Sequence, residues 1–274
     1  MSKVAYLGPE GTFSDILSRQ RFGAKVDHVA CPTIEAVFEK VASGSVPAGL
    51  VPVENSSGGT VYDTVDLLIR HADRIFVREE LALDIRIALL GRAGETVRTV
   101  YSHFIQIKHH QDWLRARHPR ARLVPVESTA AAARRASETR HSAALASPAT
   151  AGLYNLGVLD FPSGGQAVNV TNFFTIGLKP SRSKANARTA LVATLRNECG
   201  SLHRFLGPFA REHVSLTRIV SRPIPGQPQT YVFYVEIEGD PGSPRVARAL
   251  ERAGRIAGSL QSLGAFPVGR RFRS

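Results

Sequence analysis

The sequence predicts an α/β protein with mainly parallel sheets, followed by a small ferredoxin-like βαββαβ unit. Three observations carry this. Apolar strand-like runs alternate with helix-period segments as far as Ile176. A polar stretch from Lys179 to Asn186 then interrupts the pattern. Beyond it the element order changes to strand, helix, two strands, helix, strand. Alternation argues for parallel sheets covered by helices, and the later order is the split βαβ pattern.

The elements follow in order. Val4–Leu7 is a strand leading to a helix near Phe13–Gln20. Thr33 is the N-cap of a helix from Ile34 to Val41, with Glu35 in its first turn and Gly44 as a stop. Ala48–Val53 is a strand, and Thr60–Arg70 a helix with Val61, Val65 and Leu68 on one face. Arg98–Ser102 is a strand before a helix through Trp113 and Leu114. Leu123–Val126 precedes the alanine-rich helix Thr129–Ala136, and Ser142–Ala146 precedes a helix through Tyr154. Val170–Ile176 closes the region. After the linker come strand Thr189–Leu195, helix Ser201–Arg211, strands Ser215–Ile219 and Tyr231–Ile237, helix Pro244–Leu263 and strand Ala265–Val268.

A chain of 274 residues with 43% hydrophobic and 21% charged residues is of ordinary globular composition. No apolar run approaches the ~20 residues of a membrane helix. The chain opens directly on a strand, so no leader is expected. Cys31 and Cys199 show no metal-ligand spacing and read as buried thiols in a reducing cytoplasm. The net charge of +12 comes mostly from scattered arginines without a nucleic-acid reading motif, so a solvated basic surface is expected.

Two loops stand out. Gly8-Pro9-Glu10-Gly11-Thr12-Phe13-Ser14 and Pro52-Val53-Glu54-Asn55-Ser56-Ser57-Gly58-Gly59-Thr60 each follow a strand and precede a helix. Free N–H groups and a partial positive charge at a helix start attract carboxylates and phosphates. Each loop alone also reads as an ordinary capped βα turn. Together they point to a small anion held between converging helix ends.

These residues resemble the prephenate dehydratase family with its C-terminal ACT domain. The GPxGTFS pattern matches Gly8 to Ser14, and the P(I/V)ENS pattern with glycines matches Pro52 to Gly59. The SH block is Ser102-His103, and ST-x-AA is Ser128 to Ala132. AA(I/L)AS is Ala143 to Ser147, with Tyr154-Asn155-Leu156 after it. N-x-T-R-F reads Asn169-Val170-Thr171-Asn172-Phe173, with one change.

The resemblance implies two lobes around a cleft, of periplasmic-binding-protein type. Residues 1–78 with 160–180 would form one lobe and 80–160 the other, within a catalytic domain of 1–180. A linker at 181–187 and an ACT domain at 188–274 would follow. The implied reaction removes CO2 and hydroxide from prephenate, a cyclohexadienol dicarboxylate, to give phenylpyruvate in phenylalanine biosynthesis. It needs no metal or organic cofactor. The resemblance assigns catalysis to Thr171, Glu54, Asn55 and Ser56. It assigns substrate binding to Thr12, Phe13, Ser14, Arg86, Ser102, His103, Ser128, Thr129, Asn169, Asn172 and Phe173. Arg86 is included because Asn172 stands where the family has Arg, and Arg86 would supply the missing cation. The family's SHPQ continues here as Phe104-Ile105, with Gln106 one place late.

The ACT resemblance places an amino-acid effector, phenylalanine in the family, at Gly200-Ser201-Leu202 and Ser221-Arg222-Pro223. Val220 replaces the family's Glu there, so an alternative effector or a purely dimerising domain also fits. A homo-dimer or homo-tetramer is expected, with neither nucleic acid nor membrane as partner. Two other functions fit these departures: a prephenate decarboxylase that does not aromatise the ring, and a non-catalytic small-anion sensor.

Overall fold

Hydroxyl caps start the helices where the sequence places them. In the computed structural model, which describes residues 2–162, 169–181, 186–224, 226 and 230–274, Thr12 accepts from Asp15 N, Thr33 from Ala36 N and Ser128 from Ala131 N. These caps open α1 (Phe13–Phe22), α2 (Ile34–Ala42) and α6 (Thr129–Glu138).

The first lobe is a seven-stranded sheet. Its parallel centre is β1 (Lys3–Leu7) between β2 (Asp27–Cys31) and β3 (Gly49–Asn55). A short β4 (Gly59–Thr60) folds back on β3 and leads into α3 (Tyr62–Arg70). The second lobe repeats the plan: β7 (Thr99–His103) lies parallel between β8 (Arg122–Val126) and β9 (Ser142–Ala146). Helices α4 (Phe104–His109) and α5 (Gln111–Arg117) connect β7 to β8.

The sheets are mixed rather than mainly parallel, because the strands flanking the two lobe crossings run antiparallel. In lobe one these are β5 (Phe76–Asp84) and β11 (Val170–Gly177). In lobe two they are β6 (Ala88–Gly91) and β10 (Gly157–Asp160). The expected helix through Tyr154 is two 3-10 turns, Pro148–Thr150 and Gly152–Tyr154, ended by Asn155 at φ 52.

The third sheet has the expected βαββαβ order: β12 (Ala187–Thr194), α7 (Ser201–Arg211), β13 (Leu216–Pro223), β14 (Tyr231–Glu238), α8 (Pro244–Ile256) and β15 (Ser259–Pro267). Helix α8 is about two turns shorter than predicted, ending at Ile256 rather than Leu263, and β15 is correspondingly longer. Gly258 marks the switch; a Cβ there would crowd Thr194 at 3.2 Å. Alternate residues of this sheet serve two cores. Leu191, Ala193, Val235 and Ile237 pack on α7 and α8. Ala190, Val192, Val220 and Tyr234 pack into the core of lobe one, where Phe174 meets Phe266 edge-on at 5.5 Å.

The chain then returns. β16 (Arg270–Arg273) pairs parallel with β5 at the edge of the lobe-one sheet, and Arg271 clamps Asp84 at 2.6–2.9 Å. The sequence places this basic stretch in the C-terminal unit; its strand belongs to the lobe. Cys31 is buried as expected, but Cys199 is exposed. Of the expected linker, residues 182–185 lie outside the described residues.

Candidate active site

The carboxyl ends of the parallel strands from both lobes face one cleft, the usual ligand position in open α/β sheets. A cavity of about 440 Å³ lies there. Thr12, Phe13 and Ser14 come from the start of α1, and Ser128 and Thr129 from the start of α6. His103, Ile105 and Gln106 enter from the β7–α4 junction, and Pro52, Asn55, Thr171 and Phe173 from the neighbouring strands β3 and β11. Ile85, in the lobe crossing, completes the wall.

A β-bulge decides what β3 presents. Asn172 pairs with Glu54, but Phe173 pairs with Pro52, so Val53 is the extra residue. Bulges re-aim side chains beside active sites. Here Pro52 and Asn55, three positions apart, both line the cavity. The Asn55 side chain is fully used. Its Oδ1 accepts from the N–H groups of Ser57 and Gly58, both at 2.9 Å. Its Nδ2 donates to Asn169 Oδ1 at 2.9 Å and to Thr171 Oγ1 at 2.7 Å. Since Asn55 fills the acceptor side of the Thr171 hydroxyl, the Thr171 proton is left to point elsewhere.

Among the described lining residues no Lys or Arg appears, and Glu127 is the one carboxylate. An anion in this cavity meets helix N-termini, hydroxyls and amides instead. Burial pulls the His103 imidazole below its ordinary range, so His103 is neutral at pH 7. A ring titration followed by NMR should therefore show a midpoint below the ~6.5 of a free imidazole. The sign for stability follows: the unfolded chain takes the proton more readily, so this contribution holds above about pH 6.5 and is lost as pH falls through the folded pKa.

Several expected site residues lie elsewhere. Arg86 is exposed and stacks over Phe161 at 5.7 Å, because the neighbouring Ile85 takes the inward position. It does not replace a cation in the cavity. Ser102 is buried and donates to Leu145 O at 2.7 Å, tying β7 to β9. Asn172 alternates with Thr171 and Phe173 and so faces away from the cleft, toward the C-terminal sheet. Glu54 faces the same way and accepts from Arg218 at 2.8 Å. Ser56 and Asn169 support the site from behind: Ser56 Oγ accepts from Val170 N, and Asn169 receives Asn55. Of the expected effector residues, Ser201 and Leu202 border a cavity of about 170 Å³ with Tyr231 and Phe233. Gly200 starts α7 at φ 77, a conformation that suits glycine. Ser221 and Pro223 lie on β13, outside that cavity. Arg222 is held by Asp66 of α3 at 2.6 and 2.7 Å, and Val220 is buried against lobe one.

A model of the family described as prephenate dehydratase matches residues 4–181, and an ACT domain model matches residues 189–255. The chain belongs to the prephenate dehydratase family. It is 37% identical to the bifunctional chorismate mutase/prephenate dehydratase of Stutzerimonas stutzeri, over 97% of this chain and 73% of that protein. The prephenate dehydratase of Arthrobacter aurescens, solved in complex with L-Phe, superposes with a TM-score of 0.88 at 28% identity, covering 97% of this chain and 90% of that one. A structure described as GqqA, a novel type of quorum quenching acylase, superposes with a TM-score of 0.86 at 26% identity, covering 97% and 98%.

Against the family pattern, the most informative departure inside the cavity is the Ile105-Gln106 pair. Ile105 takes the place of the family's Gln, and Gln106 lines the cavity from the next position. Gln106 is buried, and its Oε1 has no partner among the described residues. An unpaired buried polar atom costs about 1–3 kcal/mol. Gln106→Leu removes that cost, so thermal stability should hold or rise. It also removes the amide that Gln106 offers to the cavity, so KM for prephenate is expected to rise about tenfold, one good hydrogen bond's worth. Glu127 and Ile85 carry no mark in the sequence; only the fold brings them to the cleft.

Proposed function

We infer that the chain catalyses the prephenate dehydratase reaction of phenylalanine biosynthesis through the Thr171 hydroxyl. The observation that carries this is the Asn55 Nδ2 to Thr171 Oγ1 hydrogen bond at 2.7 Å, which leaves the Thr171 proton available to a ring hydroxyl in the cleft. In the reaction the bond from ring to carboxylate breaks and CO2 leaves. Its electron pair moves into the ring, and the C–O bond opposite breaks. The hydroxide takes one proton, which originates from solvent, and departs as water, leaving aromatic phenylpyruvate. Thr171 is too weak an acid to ionise freely, so it acts as hydrogen-bond donor to the departing oxygen, where charge grows.

The absence of Lys and Arg among the described lining residues suits the other half of the reaction. Losing CO2 removes a negative charge, so a fixed cation on the ring carboxylate would stabilise the ground state more than the transition state. The starts of α1 and α6 hold the substrate carboxylates with weaker, distributed dipoles. Ile85, Ile105 and Phe173 exclude water and contact the ring. Of the two changes that motivate the decarboxylase alternative, Asn172 lies outside this wall and Ile105 within it.

Phenylalanine is the effector this reading assigns to the ACT domain. It would sit beside Ser201 and Leu202, with Ser221-Arg222-Pro223 contributed through a homo-dimer or homo-tetramer built on the β13 edge. The enzyme is assigned to the cytoplasm; among the described residues no helix is long and apolar enough to cross a membrane. Incubation with prephenate at neutral pH, with and without phenylalanine, tests the reading. Phenylpyruvate well above the spontaneous rate, reduced by phenylalanine, is expected. Binding of prephenate without turnover would instead make the protein a sensor.

A further inference from the structure

Five charged side chains meet between the C-terminal sheet and lobe one. Arg218 of β13 lies at their centre, with its side chain only 7% exposed. It donates to Glu54 of β3 at 2.8 Å, to Glu80 of β5 at 3.4 Å and to Glu236 of β14, and it covers the face of Phe174 at 5.5 Å. Arg188 of β12 closes the group by donating to Glu80 at 2.6 Å. Glu236 is buried and also receives the Tyr234 hydroxyl. Burial alone would pull the Arg218 guanidinium down; Glu236, Glu54 and Glu80 outweigh it and keep Arg218 charged.

The position of Glu54 gives this cluster a functional consequence. Glu54 immediately precedes Asn55 on the bulged end of β3, and its cross-strand partner, Asn172, precedes Phe173 and follows Thr171. Asn172 is neutral, so Glu54 draws its cation from another domain. The two hydrogen-bonded catalytic side chains, Asn55 and Thr171, thus sit on one face of a two-strand ribbon. The opposite face is gripped by Arg218. On the same strand, four residues on, Arg222 binds Asp66 of α3. Strand β13 therefore ion-pairs with the catalytic lobe at two places, Arg218 behind the active site and Arg222 on α3 away from the cavity lining, with Val220 packed between them.

We propose that Arg218 is a positioning residue for the dehydratase reaction, holding the Glu54-Asn55 end of β3 so that Asn55 meets Thr171. The proposal rests on the reaction assigned above. It makes the C-terminal sheet part of the active site's support, and it gives any displacement of β13 a direct route to the catalytic pair.

The test compares steady-state kinetics of the full-length protein carrying Arg218→Met, Arg218→Lys, Glu54→Gln, the double substitution Arg218→Met with Glu54→Gln, and Asp66→Asn. A small misplacement of catalytic groups costs roughly ten- to a hundredfold. Arg218→Met should lower kcat by about that factor, with KM for prephenate within about twofold. Lysine should restore part of the loss. Glu54→Gln, which leaves Arg218 paired with Glu80 and Glu236, should lower kcat similarly, and the double variant should be no worse than either single. Asp66→Asn breaks the remote contact and should leave kcat unchanged. An unchanged kcat in Arg218→Met or Glu54→Gln, additive losses in the double variant, or an equal loss in Asp66→Asn would overturn the proposal. Should Arg218→Met fail to fold, Glu54→Gln and Asp66→Asn decide it. Phenylpyruvate formation by the unsubstituted protein is measured first. Its absence overturns both this proposal and the reaction on which it rests; its presence with an unchanged kcat in the variants overturns the positioning role alone.

Discussion

Thr171→Val should lower kcat for phenylpyruvate formation by a hundredfold or more, within the roughly 10²–10³ that losing one fixed donor to a developing oxyanion costs. Valine matches threonine in volume and suits a strand, so the fold should survive. The lost group is the hydroxyl alone, whose oxygen lies 2.7 Å from Asn55 Nδ2. KM should change little, because the helix starts and apolar wall that hold prephenate remain. Thr171→Ser, which keeps the hydroxyl, should recover most of the rate. Steady-state assays of both variants with melting curves check this; a valine variant with near-normal kcat would remove Thr171 from the chemistry.

The second large effect is expected from Asn55→Asp. The change is nearly isosteric and keeps an acceptor for Ser57 N and Gly58 N. It removes the N–H that donates to Thr171, and the carboxylate accepts the threonine proton instead. The hydroxyl is thereby turned from the cleft toward its own scaffold. A hydrogen bond to a charged group is worth about 1.5–3 kcal/mol, so kcat should fall on the order of ten- to a hundredfold. Protonating the new carboxyl, near pH 4 for an ordinary aspartate, should relieve part of the loss. A pH–rate profile that parallels the unsubstituted protein would show that Asn55 does not orient Thr171.

Much of this architecture was legible in the residues. The caps Thr12, Thr33 and Ser128, the strand-turn-helix loops and the βαββαβ order all depend on local chemistry, which short sequence windows contain. The unread strands depend on distant partners. Phe76–Asp84 mixes charged and apolar residues because its two faces meet different surroundings, and Arg270–Arg273 is a strand only by pairing with residues some 190 positions earlier. The site divides along the same line. Thr12, Ser14, Asn55, Ser128 and Thr171 reach the cavity as expected. The shared facing of Pro52 and Asn55 turns on the bulge at Val53, which has no sequence signature. The cation expected of Arg86 is not in the cleft. The arginine that matters to Glu54 is Arg218, 164 residues away and in another domain.

Prephenate carrying ¹⁸O in its ring hydroxyl tests the central claim most directly, since the Asn55–Thr171 pair is assigned to the departure of that oxygen. With label in the water and unlabelled phenylpyruvate measured together by mass spectrometry, the account predicts one labelled water for each CO2 released. Label retained in a non-aromatic keto acid, with CO2 still lost, would contradict it and make the protein a decarboxylase that leaves the hydroxyl in place.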